Sequence, residues 1–278
     1  MVQENMEFGE IREPIVDGIF YPDEASALED CVRDLLQKSE TPAGMASAIA
    51  APHGGYEYCG SIMASAFKSC AAREIRRVVI IGPLHRDPDE ALFLPESGWF
   101  RTPLGLVPVH TDLIRAFEAC SSLFVRNDIP HLEEHCIEVQ LPFVQFLFPR
   151  ASIVPILVGK STPALAEALG NALRQTLASP ANRDLLIVLT LNLTNYLDRS
   201  VSQREAGKLV DLILSRNGDE IMRTYGLGEL STCGAAVLAA YFTYAGSGVH
   251  VEVSERGASN STNRDRSNTV EYASIGFS

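Results

Sequence analysis

Two rhythms of apolar and polar positions alternate along this chain, and the switches between them mark its elements. Short, largely apolar runs occur at residues 46–50, 77–81, 91–94, 153–158, 185–189 and 270–275, several of them without a polar residue. Runs of this length, rich in Val, Ile and Leu, predict strands covered on both faces. The alternating run Val249-His250-Val251-Glu252-Val253 predicts one more. Between them, helical patterns of apolar and polar residues at 23–37, 59–70, 112–120, 134–148, 163–178 and 203–215 predict helices, and the solidly apolar 234–244 predicts a buried one. Strands alternating with helices predict an α/β fold, a single domain over residues 1–278 with a central, largely parallel or mixed sheet flanked by helices. No repeat, low-complexity tract or linker divides it. Segment 254–267, rich in Ser, Asn and Arg, predicts a mobile loop before the last strand.

Composition narrows the function classes. Of 278 residues, 46% are hydrophobic and 21% charged, the balance of a globular protein with a sizeable core. Lys and Arg number 23 against 35 Asp and Glu, a formal net charge of −12, which argues against a nucleic-acid partner. The first residues carry acids where a signal peptide needs basic ones, so export is not expected. The stretch from Ser231 to Val251 has no formal charge, but Gly246-Ser247-Gly248 interrupts it, and a buried helix, a turn and a strand fit better than a membrane span. Six cysteines without CxxC spacing predict reduced thiols and a cytoplasmic location.

Ligand sites in such sheets collect outside the carboxyl ends of the strands. Two predicted strands run into histidines there, one into Pro52-His53-Gly54-Gly55-Tyr56 and the other into Gly82-Pro83-Leu84-His85. A third leads into Thr190-Leu191-Asn192-Leu193-Thr194-Asn195-Tyr196. One histidine at a strand end is more often a satisfied structural group than a ligand. Two together point to a metal or an acid/base site, because imidazole is the commonest metal ligand and titrates near neutrality. His135 and Glu138 stand at i and i+3 of a predicted helix. They read either as a polar cluster at the helix start or as cleft-facing groups, with His135 a proton donor or orienting residue. Tyr56 either lines the pocket or packs on the sheet, and Arg86 suggests an anionic ligand at the mouth. His131 reads as a surface loop residue, His110 and His250 as structural, and Cys59 and Cys70 as packed apolar groups.

The segments that carry these residues resemble the Memo family. Ala51-Pro52-His53-Gly54-Gly55-Tyr56-Glu57-Tyr58-Cys59-Gly60 is similar to its APHAGYxYxG motif, Ile81-Gly82-Pro83-Leu84-His85 to LGPxH and Thr102-Pro103-Leu104-Gly105 to TPLG. Glu134-His135-Cys136-Ile137-Glu138-Val139-Gln140-Leu141-Pro142-Phe143 resembles EHSxEVQLPF. Arg12-Glu13-Pro14 with Asp17-Gly18-Ile19-Phe20-Tyr21-Pro22 resembles the opening RxP…AGxFYP, and Thr232-Cys233-Gly234 the late CG. The resemblance implies a fold shared with class III extradiol ring-cleaving dioxygenases, whose non-haem iron sits at the strand ends. It implies His53, His85 and Cys233 as metal ligands, a set suited first to Fe(II), with Cu or Zn as alternatives. It also implies a functional link to AMMECR1-like and radical SAM proteins. One motif departs from the pattern: where the family has SSDxSHY, Asn192 stands in the acidic position and Asn195 in the histidine position. Asn keeps hydrogen-bonding shape but accepts no proton at neutral pH.

Two functions follow as expectations. One is a metal-dependent oxidoreductase of extradiol-dioxygenase type with His135 moving a proton. The other is a non-catalytic binding or scaffold protein with a degenerate site. The ligand, a small molecule or a peptide, is unspecified, and a metal-assisted hydrolase lacks a clear carboxylate base.

Overall fold

The apolar runs become the strands of one sheet, and the computed structural model describes residues 10–86, 89–177, 182–259 and 268–278. In chain order, β1 (Ile11–Arg12) leads through a turn-rich segment to α1 (Ala25–Lys38), β2 (Ala48–Ala51), α2 (Tyr56–Lys68) and β3 (Arg77–Pro83). Next come β4 (Leu92–Leu94), the hairpin of β5 (Trp99–Thr102) and β6 (Gly105–Pro108), α3 (Thr111–Glu118), β7 (Phe124–Arg126) and α4 (Asp128–Glu133). A 3₁₀ turn at Glu138–Gln140 opens into α5 (Leu141–Leu147), followed by β8 (Ser152–Val158), α6 (Pro163–Leu177) and β9 (Leu185–Thr190). The chain closes with β10 (Leu197–Asp198), α7 (Arg199–Leu214), α8 (Gly218–Gly226), α9 (Ala235–Ala245), β11 (Val251–Ala258), β12 (Asn268–Thr269) and β13 (Glu271–Phe277).

The eight-stranded sheet has the order β11-β13-β2-β9-β3-β8-β4-β7. Its centre, β2-β9-β3-β8, is parallel, whereas β13 runs antiparallel to β2 and β4 antiparallel to β8. Every residue of β2 and β9 is buried, as strands covered on both faces require. Helix α2 packs on β2, β11 and β13 and is flanked by α1, which meets α5, while α9 packs on β3 and is flanked by α6 and α8. The predicted mixed α/β architecture is therefore the observed one. Because β2, β3 and β9 are parallel, Ala51, Pro83 and Thr190 end on one edge, and the loops that follow converge there.

Three expectations are corrected. The helix predicted over 134–148 begins only after the 3₁₀ turn, and Glu134 and His135 lie in a loop before it. The loop predicted over 254–267 starts too early, since β11 extends to Ala258, kinked by a register shift between Val253 and Glu255. The rest of that prediction, 260–267, lies outside the described residues. His131 is a buried residue of α4, not a surface one: only 1% is exposed, and its Nε2 lies 3.3 Å from the Phe93 carbonyl oxygen.

Candidate metal centre

His53 follows β2 by two residues and is held almost wholly out of solvent, at 1% exposure. Gly54 makes the tight exit to α2 feasible: a Cβ there would stand 3.2 Å from both Cys59 Sγ and the Tyr272 hydroxyl. His53 Nδ1 lies 2.9 Å from Thr190 Oγ1 at the end of β9. Thr190 Oγ1 donates to the Cys136 carbonyl at 3.2 Å and accepts from Gln140 Nε2 at 3.0 Å. A hydroxyl has one proton and two lone pairs, so the place left for His53 is as a donor. The proton thus belongs on Nδ1, and Nε2 carries a free lone pair.

His85 is fixed in the same sense by a carboxylate. Glu134 Oε2 accepts from the His85 backbone N–H at 2.8 Å and from His85 Nδ1 at 2.9 Å, so in its neutral form the lone pair of His85 also falls to Nε2. The other oxygen, Oε1, accepts from the amides of His135 and Cys136 at 2.8 and 2.9 Å and stands 3.2 Å from His135 Nδ1. One carboxylate, itself 3% exposed, therefore orients two imidazoles. The centroids of the three rings lie 5.1 to 5.7 Å apart, and one ligand nitrogen from each falls within 4.8 Å of the others.

Cys233 stands beside this group, its Sγ 3.5 Å from His53 Nε2. Its sulfur accepts the Asn192 backbone N–H at 3.4 Å, and the Asn192 carbonyl is held by Thr232 Oγ1 at 2.6 Å. Asn192 Oδ1 in turn accepts from the His53 amide at 3.2 Å. Asn192 is thus a positioning residue between the His53 loop and Cys233. Asn195 is exposed and faces a cleft of about 760 Å³ that also adjoins His85 and Cys233. Arg86 and His135 share a second cavity with Phe20 on the other side of His85.

Two residues expected to line the site do not. Tyr56 is buried, donates its hydroxyl to the Val139 carbonyl at 2.8 Å and packs on Tyr21 and Phe143, which is the aromatic-packing alternative. Glu138 is 0% exposed and fully committed, to Arg12, to the amides of Ile15 and Val16 and to the Tyr21 hydroxyl. Conversely, Glu134, Thr190 and Gln140 are the partners that orient the cluster, and single-residue reasoning assigned none of them that role. All three stand within or beside the histidine motifs, and only the fold brings them under the imidazoles.

Burial sets the electrostatics. It drives His53 well below the ordinary imidazole range, and the neighbouring His85 and His135 add to the effect. It also lowers His135, against the opposing pull of Glu134. Burial disfavours the charged form of His85 too, but hydrogen bonding to Cys233 and Glu134 outweighs it and raises that group. Glu134 is lowered although burial opposes it, because His85 and His135 stabilise its charge. Two imidazoles are thus kept unprotonated and available as ligands, and the third is oriented by an anion.

The profile of the family described as Memo-like protein matches residues 12–276. A MEMO1 family protein of Thermotoga neapolitana is 32% identical over 240 residues, covering 81% of this chain and 84% of its own. Another from Desulfurococcus amylolyticus is 27% identical over 279 residues, covering 96% and 98%. Among solved structures, an uncharacterized protein of Escherichia coli K12 superposes with a TM-score of 0.55 at 11% identity, over 82% of this chain and 98% of that one. That likeness is one of fold. Among the described residues no helix is long and apolar enough to cross a membrane.

Proposed function

Because the chain belongs to the Memo family, we propose that its strand-end cluster holds a first-row transition metal, iron in the first instance, and serves a dioxygenase-like oxidoreductase acting on a ligand in the adjoining cleft. The observation that carries this is the hydrogen-bond accounting at His53 and His85. Thr190 and Glu134 each take an Nδ1 proton, so in the neutral ring each lone pair lies on Nε2, beside the Cys233 sulfur and His135. A histidine whose second nitrogen is engaged by a hydroxyl or carboxylate is the usual arrangement behind a metal ligand. His53, His85 and His135 would hold the ion, with the Cys233 sulfur as a further donor. The donor set fits: nitrogen and sulfur together suit iron, copper or zinc rather than magnesium or calcium. When bound, such a metal supplies Lewis-acid and redox chemistry.

The chain's own residues do the rest. Glu134 keeps His85 and His135 oriented, and Asn192 ties the His53 loop to Cys233. Neither Asn192 nor Asn195 takes up a proton, so proton movement falls to the imidazole of His135 in any state where it is not a ligand. That restriction favours a second reading, a binding protein that keeps the cleft, with or without a metal, but has no turnover.

The test is elemental analysis of protein purified anaerobically without a histidine tag, beside His53→Ala and His85→Ala. The expected outcome is near-stoichiometric iron or copper in the natural protein and its loss in both variants, with folding retained. Equal metal content in all three would remove the ligand assignment. No uptake after anaerobic reconstitution with iron, copper and zinc would leave the binding-protein reading.

A further inference from the structure

The cleft of about 760 Å³ beside Cys233 differs in charge from the molecule that surrounds it. The chain has 35 acidic residues against 23 basic ones, yet among the described residues none that lines this cleft is Asp or Glu. Other cavities do contain acids: Glu252 in the groove beside α1, Asp219 in the one beside α8, and Glu133 in the one beside α4. Into the acid-free cleft comes Lys160, exposed at the end of β8, with no ion-pair partner among the described residues.

The remaining lining is rich in hydrogen-bond donors. Ser231 Oγ accepts from the Asn195 amide at 3.3 Å, which leaves its own proton free. Thr162 Oγ1 accepts from the Leu165 amide at 3.3 Å and is likewise free to donate. Ser161 and Tyr225 add two hydroxyls. A cavity whose described lining carries a lysine and several O–H donors but no carboxylate is complementary to an anionic oxygen group, for which charge-assisted hydrogen bonds are the strong ones. A divalent cation or a cationic amine would meet no counter-charge among the described lining residues.

We propose that this cleft selects ligands bearing an anionic oxygen group, a carboxylate or a phosphate, and that Lys160 is the specificity-determining residue that pairs with it. Pairing there places the remainder of the ligand toward His85 and Cys233, which line the same cleft. The proposal rests on the metal-centre reading for what becomes of the ligand, but not for its binding.

Calorimetric titration of the full-length protein tests it, with benzoate, phenyl phosphate and their neutral counterpart benzyl alcohol. The same titrations are run on Lys160→Gln, Lys160→Arg and the His53→Ala variant, with metal content measured in each. The expected result is binding of one or both anions at least about tenfold tighter than the alcohol. That preference should vanish in Lys160→Gln, persist in Lys160→Arg and persist in His53→Ala. The ratio of benzoate to phenyl phosphate affinity identifies which anion the cleft suits. Equal binding of anions and alcohol, or an unchanged preference in Lys160→Gln, overturns the proposal. So does a preference that disappears in His53→Ala together with the metal, since the anion would then be held by the metal and not by Lys160. Absence of metal from every sample, with the Lys160-dependent preference intact, would instead support this proposal and sink the metal centre.

Discussion

Glu134 divides its two oxygens between the two sides of the histidine cluster, and each oxygen accepts only N–H donors. Glutamine in its place would set an NH₂ donor against either the His85 N–H groups or the His135 and Cys136 amides. Glu134→Gln is therefore expected to lower metal affinity about 10–100-fold, the range for losing a partner behind a metal ligand, while the helix and sheet content stays unchanged. Anaerobic metal titration with circular dichroism checks this, and an unaltered affinity would remove Glu134 from that role. Away from the cluster, burial pushes His131 down to about 4, from an unfolded value near 6.5. A depressed histidine contributes stability that is full above about pH 6.5 and is lost as pH falls through about 4, since the unfolded chain takes up the proton first. The shift corresponds to about 3 kcal/mol. Urea midpoints measured from pH 7 to pH 4 should fall for the natural protein and fall less for His131→Gln, which keeps a donor for the Phe93 carbonyl. Parallel slopes would mean that other groups govern acid unfolding.

The elements that carry the site were the most legible in the sequence. The runs at 77–81, 153–158 and 185–189 recur in β3, β8 and β9, because fully buried parallel strands leave an unmixed apolar signature. His53 and His85 were legible for the same reason, since each follows such a run and shares its edge. What escaped notice was short or broken. The strands β5, β6 and β7 have three or four residues each, and β1, β10 and β12 have two, too few for a period. Helix α4 contains Pro130, which reads as a breaker but sits in the first turn, where its missing N–H costs nothing. Helix α8 hides behind the turn signal Asn217-Gly218, although Asn217 caps it by accepting from the Glu220 amide at 3.0 Å. Partners such as Thr190 and Gln140 were not legible as partners at all, because tertiary convergence leaves no local pattern. That convergence is tightest at Gly82 on β3, where a Cβ would stand 2.4 Å from Cys136 Sγ and 2.6 Å from Thr190 Cγ2. Gly82→Ala must push apart the strand and the loop that carries Glu134 and His135. A loss of about 1–3 kcal/mol in denaturant unfolding is expected, the usual cost of overpacking, together with weaker metal binding. Unchanged stability would show that the loop yields freely.

Across the whole molecule, the beginning of the described chain locks the loop that serves the cluster, through a buried ion pair between residues 126 positions apart. Arg12 and Glu138 are 1% and 0% exposed, and the guanidinium also donates to the carbonyls of His131 at 2.9 Å and Glu134 at 2.8 Å. Glu138 answers by accepting from the amides of Ile15 and Val16 and from the Tyr21 hydroxyl, so the pair is the centre of a network and not an isolated bridge. Removing one partner of a buried pair costs about 3–5 kcal/mol, whereas replacing both by apolar residues is often neutral. The network changes that second expectation here. In an Arg12→Met, Glu138→Met double variant, the charges are gone but the amides of Ile15 and Val16, the Tyr21 hydroxyl and the carbonyls of His131 and Glu134 lose their partners inside the protein. Arg12→Met should therefore lose about 3–5 kcal/mol, and the double variant should recover little of it. Metal affinity should fall in both, because the Glu134 backbone loses its anchor. Denaturant unfolding of the metal-free proteins, followed by metal titration, separates these effects. A double variant as stable as the natural protein would reduce the network to a simple ion pair, and the orientation of the cluster would then rest on Glu134 and Thr190 alone.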